Sequence, residues 1–162
     1  MRLYIDLDGV LADFRRGVLA VTGKLPEDLN PDVMWPALHR AGDFFTKLKM
    51  TADADLLWRY CRSFSPMILT ALPRGCWAAE QKRRWVQSKL GSDVPLITCK
   101  SNEKHLHSGS GHILIDDRAL NRRPWERAGG VFIHHVNASA SISVLKQLVS
   151  WRNLPTDLRS PS

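Results

Sequence analysis

Five short apolar runs stand out along the chain, each rich in branched side chains and bounded by polar residues or glycine. This pattern is typical of buried strands in a parallel sheet. Between the runs, three segments space their apolar residues as helices do. The alternation of strands and helices predicts an α/β fold, a Rossmann-like parallel sheet flanked by helices. The predicted strands are 3–5, 67–69, 94–97, 112–115 and 131–133, and the predicted helices are 77–90, 119–128 and 140–151.

Residues 15–65 interrupt this alternation. The segment contains Pro26, Pro31 and Pro36 and has the pattern of short helices, without a convincing strand. We therefore expect a small helical cap over 15–65, inserted after the first strand into a core formed by 1–14 and 66–152. The last residues, 153–162, hold two prolines and little apolar content, so we expect a flexible tail there.

Composition narrows the class of protein. The 162 residues are 44% hydrophobic, enough for one compact domain with a real core. No apolar stretch reaches the roughly 18 residues of a membrane span, and early acidic residues argue against a signal peptide. The odd number of cysteines and the lack of CxxC spacing argue against disulfides or a zinc site and favour a cytoplasmic location. We expect Cys61, Cys76 and Cys99 to be buried small apolar residues.

The net charge of +7 would attract anions, either phosphate esters or nucleic acid. The basic residues form short clusters that we interpret first as solvated helix faces. No cluster is interleaved with aromatic residues as in a groove for single strands. The six histidines are expected to lie mostly at the surface. The basic clusters are Arg15-Arg16, Lys82-Arg83-Arg84 and Arg122-Arg123.

Acidic residues follow two of the predicted strands. Asp6 and Asp8 come after the first strand, and Asp116 and Asp117 after the fourth. Ligands of open α/β sheets bind at the carboxyl ends of the strands, so the two pairs should meet. Converging carboxylates repel one another unless a cation neutralises them. Mg²⁺ fits, since it prefers oxygen ligands and bridges to phosphate.

Two further strand ends carry polar groups. Thr70 follows the second strand, and its hydroxyl would lie at the same edge of the sheet. Lys100 and Lys104 follow the third strand, and either could supply an ammonium group. Each residue alone has an ordinary structural interpretation, such as a helix cap for the acidic pairs. Their coincidence at strand ends indicates a site for an anionic substrate.

These residues match the motifs of a known family. The run Asp6-Leu7-Asp8-Gly9-Val10 resembles the DxDGV motif of the haloacid dehalogenase-like hydrolases. Thr70, a later lysine and 113–117 occur in the order of that family's other motifs. The chain is similar to the 5′(3′)-deoxyribonucleotidase branch, in its compact bacterial or phage form, over segments 8–14, 42–48 and 114–118. It is also similar over 68–70, followed by Lys82, Trp85 and Val86 in the next predicted helix.

The resemblance implies distinct roles for the carboxylates. Asp6 would attack phosphorus and form an aspartyl-phosphate, while Asp8 would protonate the leaving oxygen and later activate water. Asp117 would bind Mg²⁺ directly, together with Asp6 and the backbone carbonyl of Asp8. Asp116 would be a second ligand or orient the first.

Phosphate contacts are implied for Thr70 and for Lys104, whose spacing fits better than that of Lys100. Many relatives have serine after the threonine, whereas Ala71 stands here, so one side-chain contact is missing.

Three aromatic residues are candidates for contact with a nucleobase, namely Phe14, Trp35 and Phe44. For Phe44, together with Phe45, packing in the core of the cap is the favoured alternative.

The predicted function is therefore hydrolysis of a small-molecule phosphate monoester with Mg²⁺, in first place a nucleoside monophosphate. A cap that closes over the site would choose the substrate. Two alternatives keep the fold: a phosphatase for polynucleotide ends or sugar phosphates, and a non-catalytic nucleotide-binding module. Nucleic acid is a less favoured partner because the cap is small and closed. The oligomeric state is left open, with a homodimer as one alternative.

Overall fold

A computed structural model describes residues 1–152 of the chain. Its centre is one sheet of five parallel strands in the order β3-β2-β1-β4-β5. The predicted α/β class is confirmed, whereas the predicted tail lies outside the described residues. The strands are β1 (Arg2–Ile5), β2 (Met67–Ala71), β3 (Leu96–Cys99), β4 (His112–Asp116) and β5 (Val131–His134).

The third strand begins two residues later than its apolar run predicts. Pro95 has no N–H and cannot donate to the ladder, although its carbonyl accepts a hydrogen bond from Ile68 N at 2.9 Å. Regular pairing with β2 therefore starts at Leu96, opposite Ile68. The shift moves the carboxyl end of β3 to Cys99, directly before the lysine segment.

Within residues 1–152, six α-helices surround the sheet, and five short 3₁₀ turns connect the elements. The predicted helix over 119–128 is divided into a 3₁₀ turn, Ala119–Asn121, and a helix from Arg122, with Pro124 in its first turn, where a missing N–H costs little. No helix in the described part of the chain is long and apolar enough to cross a membrane. The helices are α1 (Phe14–Thr22), α2 (Pro31–Arg40), α3 (Ala54–Cys61), α4 (Trp77–Lys89), α5 (Arg122–Arg127) and α6 (Ala138–Arg152).

Apolar side chains cover both faces of the sheet, as the alternation of a strand requires. On one face, Tyr4 and its neighbours pack against Trp125 of α5. On the other, Leu3, Ile5 and residues of α3, α4 and α6 form a larger core. This larger core is continuous with the apolar residues of the predicted cap, so the two regions share one interior.

Within 15–65, two parts behave differently. Helices α1 and α2 lie together beside the carboxyl edge of the sheet, whereas α3 packs against α6. The second of these contacts includes a hydrogen bond from Ala138 N to Asp53 Oδ2 at 2.5 Å. The residues that can reach a ligand at the sheet edge therefore come from α1, α2 and their connection.

All three cysteines are free. Cys61 is buried, and burial raises the pKa of its thiol to about 12. The prediction of three buried cysteines is wrong for Cys76, which is exposed in the loop before α4, and Cys99 is only half-buried. Among the histidines, His135 is buried and its Nδ1 lies 2.9 Å from Ser141 Oγ, so it departs from the expected surface position.

Candidate active site

A cavity of about 650 Å³ opens at the carboxyl edge of the sheet. Its floor includes Asp6 and Asp8 after β1, Lys104 after β3 and Asp117 after β4. Helices α1 and α2 supply its opposite wall. The cavity lies where the strand order reverses, between β1 and β4, which is the usual binding position in such sheets.

The loop after β1 holds the first acidic pair in a tight turn. The backbone N–H groups of Leu11 and Ala12 both donate to the carbonyl of Leu7, at 2.9 and 2.8 Å. Gly9 has a φ of +82°, and a Cβ there would lie 2.3 Å from Asp117 Oδ2. Glycine therefore satisfies both the turn and the close approach of this loop to the end of β4.

Lys104 reaches both acidic strand ends. Its Nζ lies 2.8 Å from Asp6 Oδ1 and 2.6 Å from Asp116 Oδ2, and the side chain is buried. Burial would lower the pKa of Lys104, but Asp6 and Asp116 outweigh it and raise the pKa above its usual value. The alternative, Lys100, is exposed and pairs with Glu103 at 3.0 Å. Of the two candidates, the structure brings Lys104 into the site.

The second acidic pair is divided by its hydrogen bonds. Asp116 Oδ1 accepts from Arg118 N at 2.7 Å, and Oδ2 accepts from Lys104 and from Asn121 Nδ2 at 2.8 Å. Asp117 Oδ1 is buried without a hydrogen-bond partner among the described residues. One carboxylate is thus fixed by the protein, and the other keeps a free oxygen for a ligand.

A second buried lysine reaches the site from α4, and the sequence analysis gave this lysine no role there. Lys82 of α4 is fully buried, so the prediction of a solvated basic face is wrong for this member of its cluster. Its Nζ donates to Asp8 Oδ2 at 2.5 Å, to Thr70 Oγ1 at 2.9 Å and to the Ala71 carbonyl at 2.8 Å. A signal was present in the sequence, because position 82 lies three residues before Trp85, on the apolar face of the helix.

The carboxylates fit a divalent cation. Ligand oxygens of Asp6, Asp116 and Asp117 all lie within 4.8 Å of one another. Burial raises the pKa of Asp6 to about 7 against the lowering effect of Lys104, and Asp116 and Asp8 add to the rise. Burial and Asp116 likewise raise the pKa of Asp117 to about 6. Four carboxylates face two ammonium groups, and the two remaining negative charges match one Mg²⁺ ion.

Of the three aromatic residues predicted to contact a base, two line the cavity and one lies behind its wall. Phe14 and Trp35 line the cavity, with their ring centroids 5.7 Å apart. Phe44 is buried with Phe45 and is absent from the lining of this cavity. Its ring meets Phe14 edge-on at 5.8 Å, so it supports the wall from behind.

The mouth of the cavity carries cations to which the sequence analysis gave no role in the site. Arg74 and Arg118 line the cavity and are exposed. Arg15, also in the lining, donates from Nε to Glu27 Oε1 at 3.0 Å and joins α1 to the turn before α2. The entrance is therefore suited to an anion.

The fold matches solved hydrolases over almost its whole length. A hydrolase of the HAD (haloacid dehalogenase-like) superfamily from Ehrlichia chaffeensis superposes with a TM-score of 0.56 at 13% identity, covering 91% of this chain and 97% of that one. A HAD family hydrolase from Deinococcus radiodurans, solved with bound phosphate and sodium, gives 0.54 at 14% identity, covering 96% and 97%. The fold is therefore that of the HAD-superfamily hydrolases, and the resemblance predicted from the motifs is confirmed.

One curated protein is similar to the chain in sequence. The chain is 29% identical over 129 residues to a protein of Vibrio phage KVP40 named "Putative 5′(3′)-deoxyribonucleotidase", covering 74% of this chain and 67% of the phage protein. No family model matches the chain.

Proposed function

We propose that this protein is a Mg²⁺-dependent phosphatase that hydrolyses phosphate monoesters through an aspartyl-phosphate on Asp6. The observation that carries the proposal is the cluster of Asp6, Asp116 and Asp117. Lys104 bridges the buried pair Asp6 and Asp116, and Asp6 and Asp117 line an open cavity. The HAD-type fold supports it, as does the phosphate bound in the Deinococcus radiodurans hydrolase.

The contacts of each residue suggest its role in the proposed reaction. Asp6, Asp117 and the backbone carbonyl of Asp8 would hold Mg²⁺, and Asp116 would keep Lys104 in position. When bound, the ion would neutralise charge on the cluster and on the substrate phosphoryl group. Lys104 and the Thr70 hydroxyl would contact the phosphoryl oxygens and stabilise charge that develops on them.

The reaction proceeds in two displacements. A carboxylate oxygen of Asp6 attacks phosphorus, the bond to the leaving oxygen breaks, and Asp8 gives that oxygen a proton. Water then attacks the phosphorus of the aspartyl-phosphate, the bond between phosphorus and the Asp6 oxygen breaks, and Asp8 takes the proton that the water loses. Inorganic phosphate leaves, and both carboxylates return to their starting state.

Nucleoside monophosphates are the proposed substrates, in line with the name of the phage relative. A cavity of about 650 Å³ is within the usual size range of small-molecule sites. Phe14 and Trp35 offer aromatic faces to a base, and the core of 1–14 and 66–152 would carry the chemistry beneath a cap over 15–65. A cytoplasmic location, a homodimer and nucleic acid as a partner stay predictions.

A phosphate-release assay tests the proposal. The purified protein is given Mg²⁺ and a panel of ribonucleoside and deoxyribonucleoside 5′- and 3′-monophosphates, sugar phosphates and 5′-phosphorylated single-stranded DNA. We expect release from nucleoside monophosphates that EDTA abolishes and Mg²⁺ restores. Preference for sugar phosphates or for DNA ends would overturn the substrate assignment. Inactivity on the whole panel would favour the non-catalytic alternative.

A further inference from the structure

Lys82 is an ammonium group enclosed by the protein. Its side chain has 0% exposure, in the middle of α4. An ammonium group has three protons, and a buried one is tolerated only when its protons are accepted. Three acceptors surround it: the carboxylate of Asp8, the hydroxyl of Thr70 and the carbonyl of Ala71. The three contacts fix the position of the ammonium group relative to the ends of β1 and β2.

The contact with Asp8 leaves that carboxylate with one free oxygen. Oδ2 accepts from Lys82 at 2.5 Å, whereas Oδ1 is buried and has no hydrogen-bond partner within residues 1–152. Asp8 also lines the cavity beside Asp6. The carboxylate would otherwise rotate about its side-chain bonds. Lys82 therefore selects one orientation, in which a single oxygen stays available for proton transfer.

Stability alone does not explain a charge at this position. A buried ion pair commonly contributes no more than a well-packed apolar residue of similar volume, because desolvation offsets the attraction. Apolar groups flank the same side chain, since Trp85 follows on the same helix face and the Phe45 ring centroid lies 4.6 Å from Nζ. Phe45 N in turn donates to Gln81 at 3.0 Å. The ammonium group thus lies beside an aromatic ring, and its charged partner is Asp8.

We propose that Lys82 is a positioning residue that holds Asp8 in the orientation for protonating the leaving oxygen. The inference rests on the proposed function, and it adds a residue that acts through Asp8 without touching the substrate. Removing Lys82 should therefore affect substrates according to how much their leaving group needs a proton. Nucleosides leave as poor alkoxides unless they are protonated, whereas para-nitrophenolate departs without a proton.

The test compares kcat/KM for a nucleoside monophosphate and for para-nitrophenyl phosphate in Lys82→Met. This parameter covers the first displacement, where the leaving group departs, and excludes the later hydrolysis that both substrates share. General acid catalysis contributes about 10²- to 10⁴-fold. We expect the nucleotide value to fall about 100-fold and the para-nitrophenyl value less than about 10-fold, so that their ratio falls at least about 10-fold.

A double-mutant cycle with Asp8→Asn shows whether Lys82 acts through Asp8. In the Asp8→Asn background the substrate ratio is already low, and adding Lys82→Met should leave it unchanged. Lys89→Met, at an exposed position in the last turn of the same helix, is the matched control and should keep wild-type values. If circular dichroism shows that Lys82→Met is unfolded, Lys82→Leu, which also removes the donor, takes its place with the same expected ratio.

The outcomes separate the two proposals. An equal loss on both substrates, or an unchanged ratio, would overturn the role of Lys82 while leaving the phosphatase assignment intact. A further fall of the ratio in the double mutant would also overturn it, since Lys82 would then act independently of Asp8. An inactive wild-type protein would instead overturn the proposed function, and the role of Lys82 with it.

Discussion

Asp6→Asn should stabilise the metal-free protein at neutral pH, although it removes a residue from a buried ion pair. The pKa of Asp6 rises from an ordinary 3.8 to about 7, mainly because the carboxyl group is buried. Each pKa unit corresponds to about 1.4 kcal/mol, so ionising Asp6 near neutral pH costs the folded state up to about 4 kcal/mol. Asparagine is neutral and of similar shape, and Lys104 keeps its contact with Asp116 at 2.6 Å. We expect a gain of about 2 to 4 kcal/mol in the free energy of unfolding.

The sign of the pH dependence follows from the same shift. Between pH 3.8 and about 7 the folded protein holds a proton on Asp6 that the unfolded chain releases. Stability therefore falls as pH rises through this window. Asp117, whose pKa is raised to about 6, acts in the same direction. In EDTA, the contribution of Asp6 and Asp117 should make the free energy of unfolding of the wild type smaller at pH 7.5 than at pH 5. Asp6→Asn should make this difference smaller.

Urea denaturation followed by circular dichroism measures both effects, in EDTA and in saturating Mg²⁺. Mg²⁺ should stabilise the wild type by an amount set by its concentration relative to Kd, and should stabilise Asp6→Asn much less. Asp93→Asn, at an exposed position, is the control and should change neither value. A less stable Asp6→Asn protein in EDTA at pH 7.5, or an equal gain from Mg²⁺ in both proteins, would refute the reasoning.

Two further predictions separate pairs of candidates. Lys104→Met should lower kcat/KM at least about 100-fold because it removes the buried ammonium group. Lys100→Met should change kcat/KM less than about 3-fold. Equal effects of the two substitutions in the phosphate-release assay would contradict the choice of Lys104. Phe14→Ala should raise KM for a nucleotide, because Phe14 lines the cavity. Phe44→Ala should lower the free energy of unfolding by about 3 to 5 kcal/mol, because Phe44 is buried. A raised KM for Phe44→Ala together with an unchanged KM for Phe14→Ala would contradict the assignment of the base to Phe14.

The fold could be predicted because each buried strand coincides with a short apolar run in the sequence. Residues 113–115, for example, are fully apolar in sequence and fully buried in β4, so pattern and burial agree. The third strand was placed too early since apolar character does not report backbone donors, and Pro95 supplies none. This shift also explains why spacing alone did not decide between Lys100 and Lys104 as the phosphate contact. The position where β3 ends decides which lysine can reach the site, and that position is defined by the fold.

The carboxylates of the site were predictable, and their neighbours were not. Asp6 and Asp117 follow strands directly, so topology alone brings them together. Lys82 was assigned to solvent because it belongs to a basic cluster, although its position on the helix shares a face with Trp85. The charge of the lysine suggested an exposed side chain, whereas its position on the helix suggested a buried one. The acidic partner that makes burial tolerable is 74 positions away in the sequence.

The most direct test of the account is Mg²⁺-dependent phosphate release by Asp6→Asn, with the best nucleotide of the panel as substrate. Asparagine preserves the shape of the side chain but cannot attack phosphorus to form an acyl phosphate. We predict that release falls to the level of the assay blank while circular dichroism shows a folded protein. Retention of more than about a tenth of wild-type activity would contradict the covalent role of Asp6.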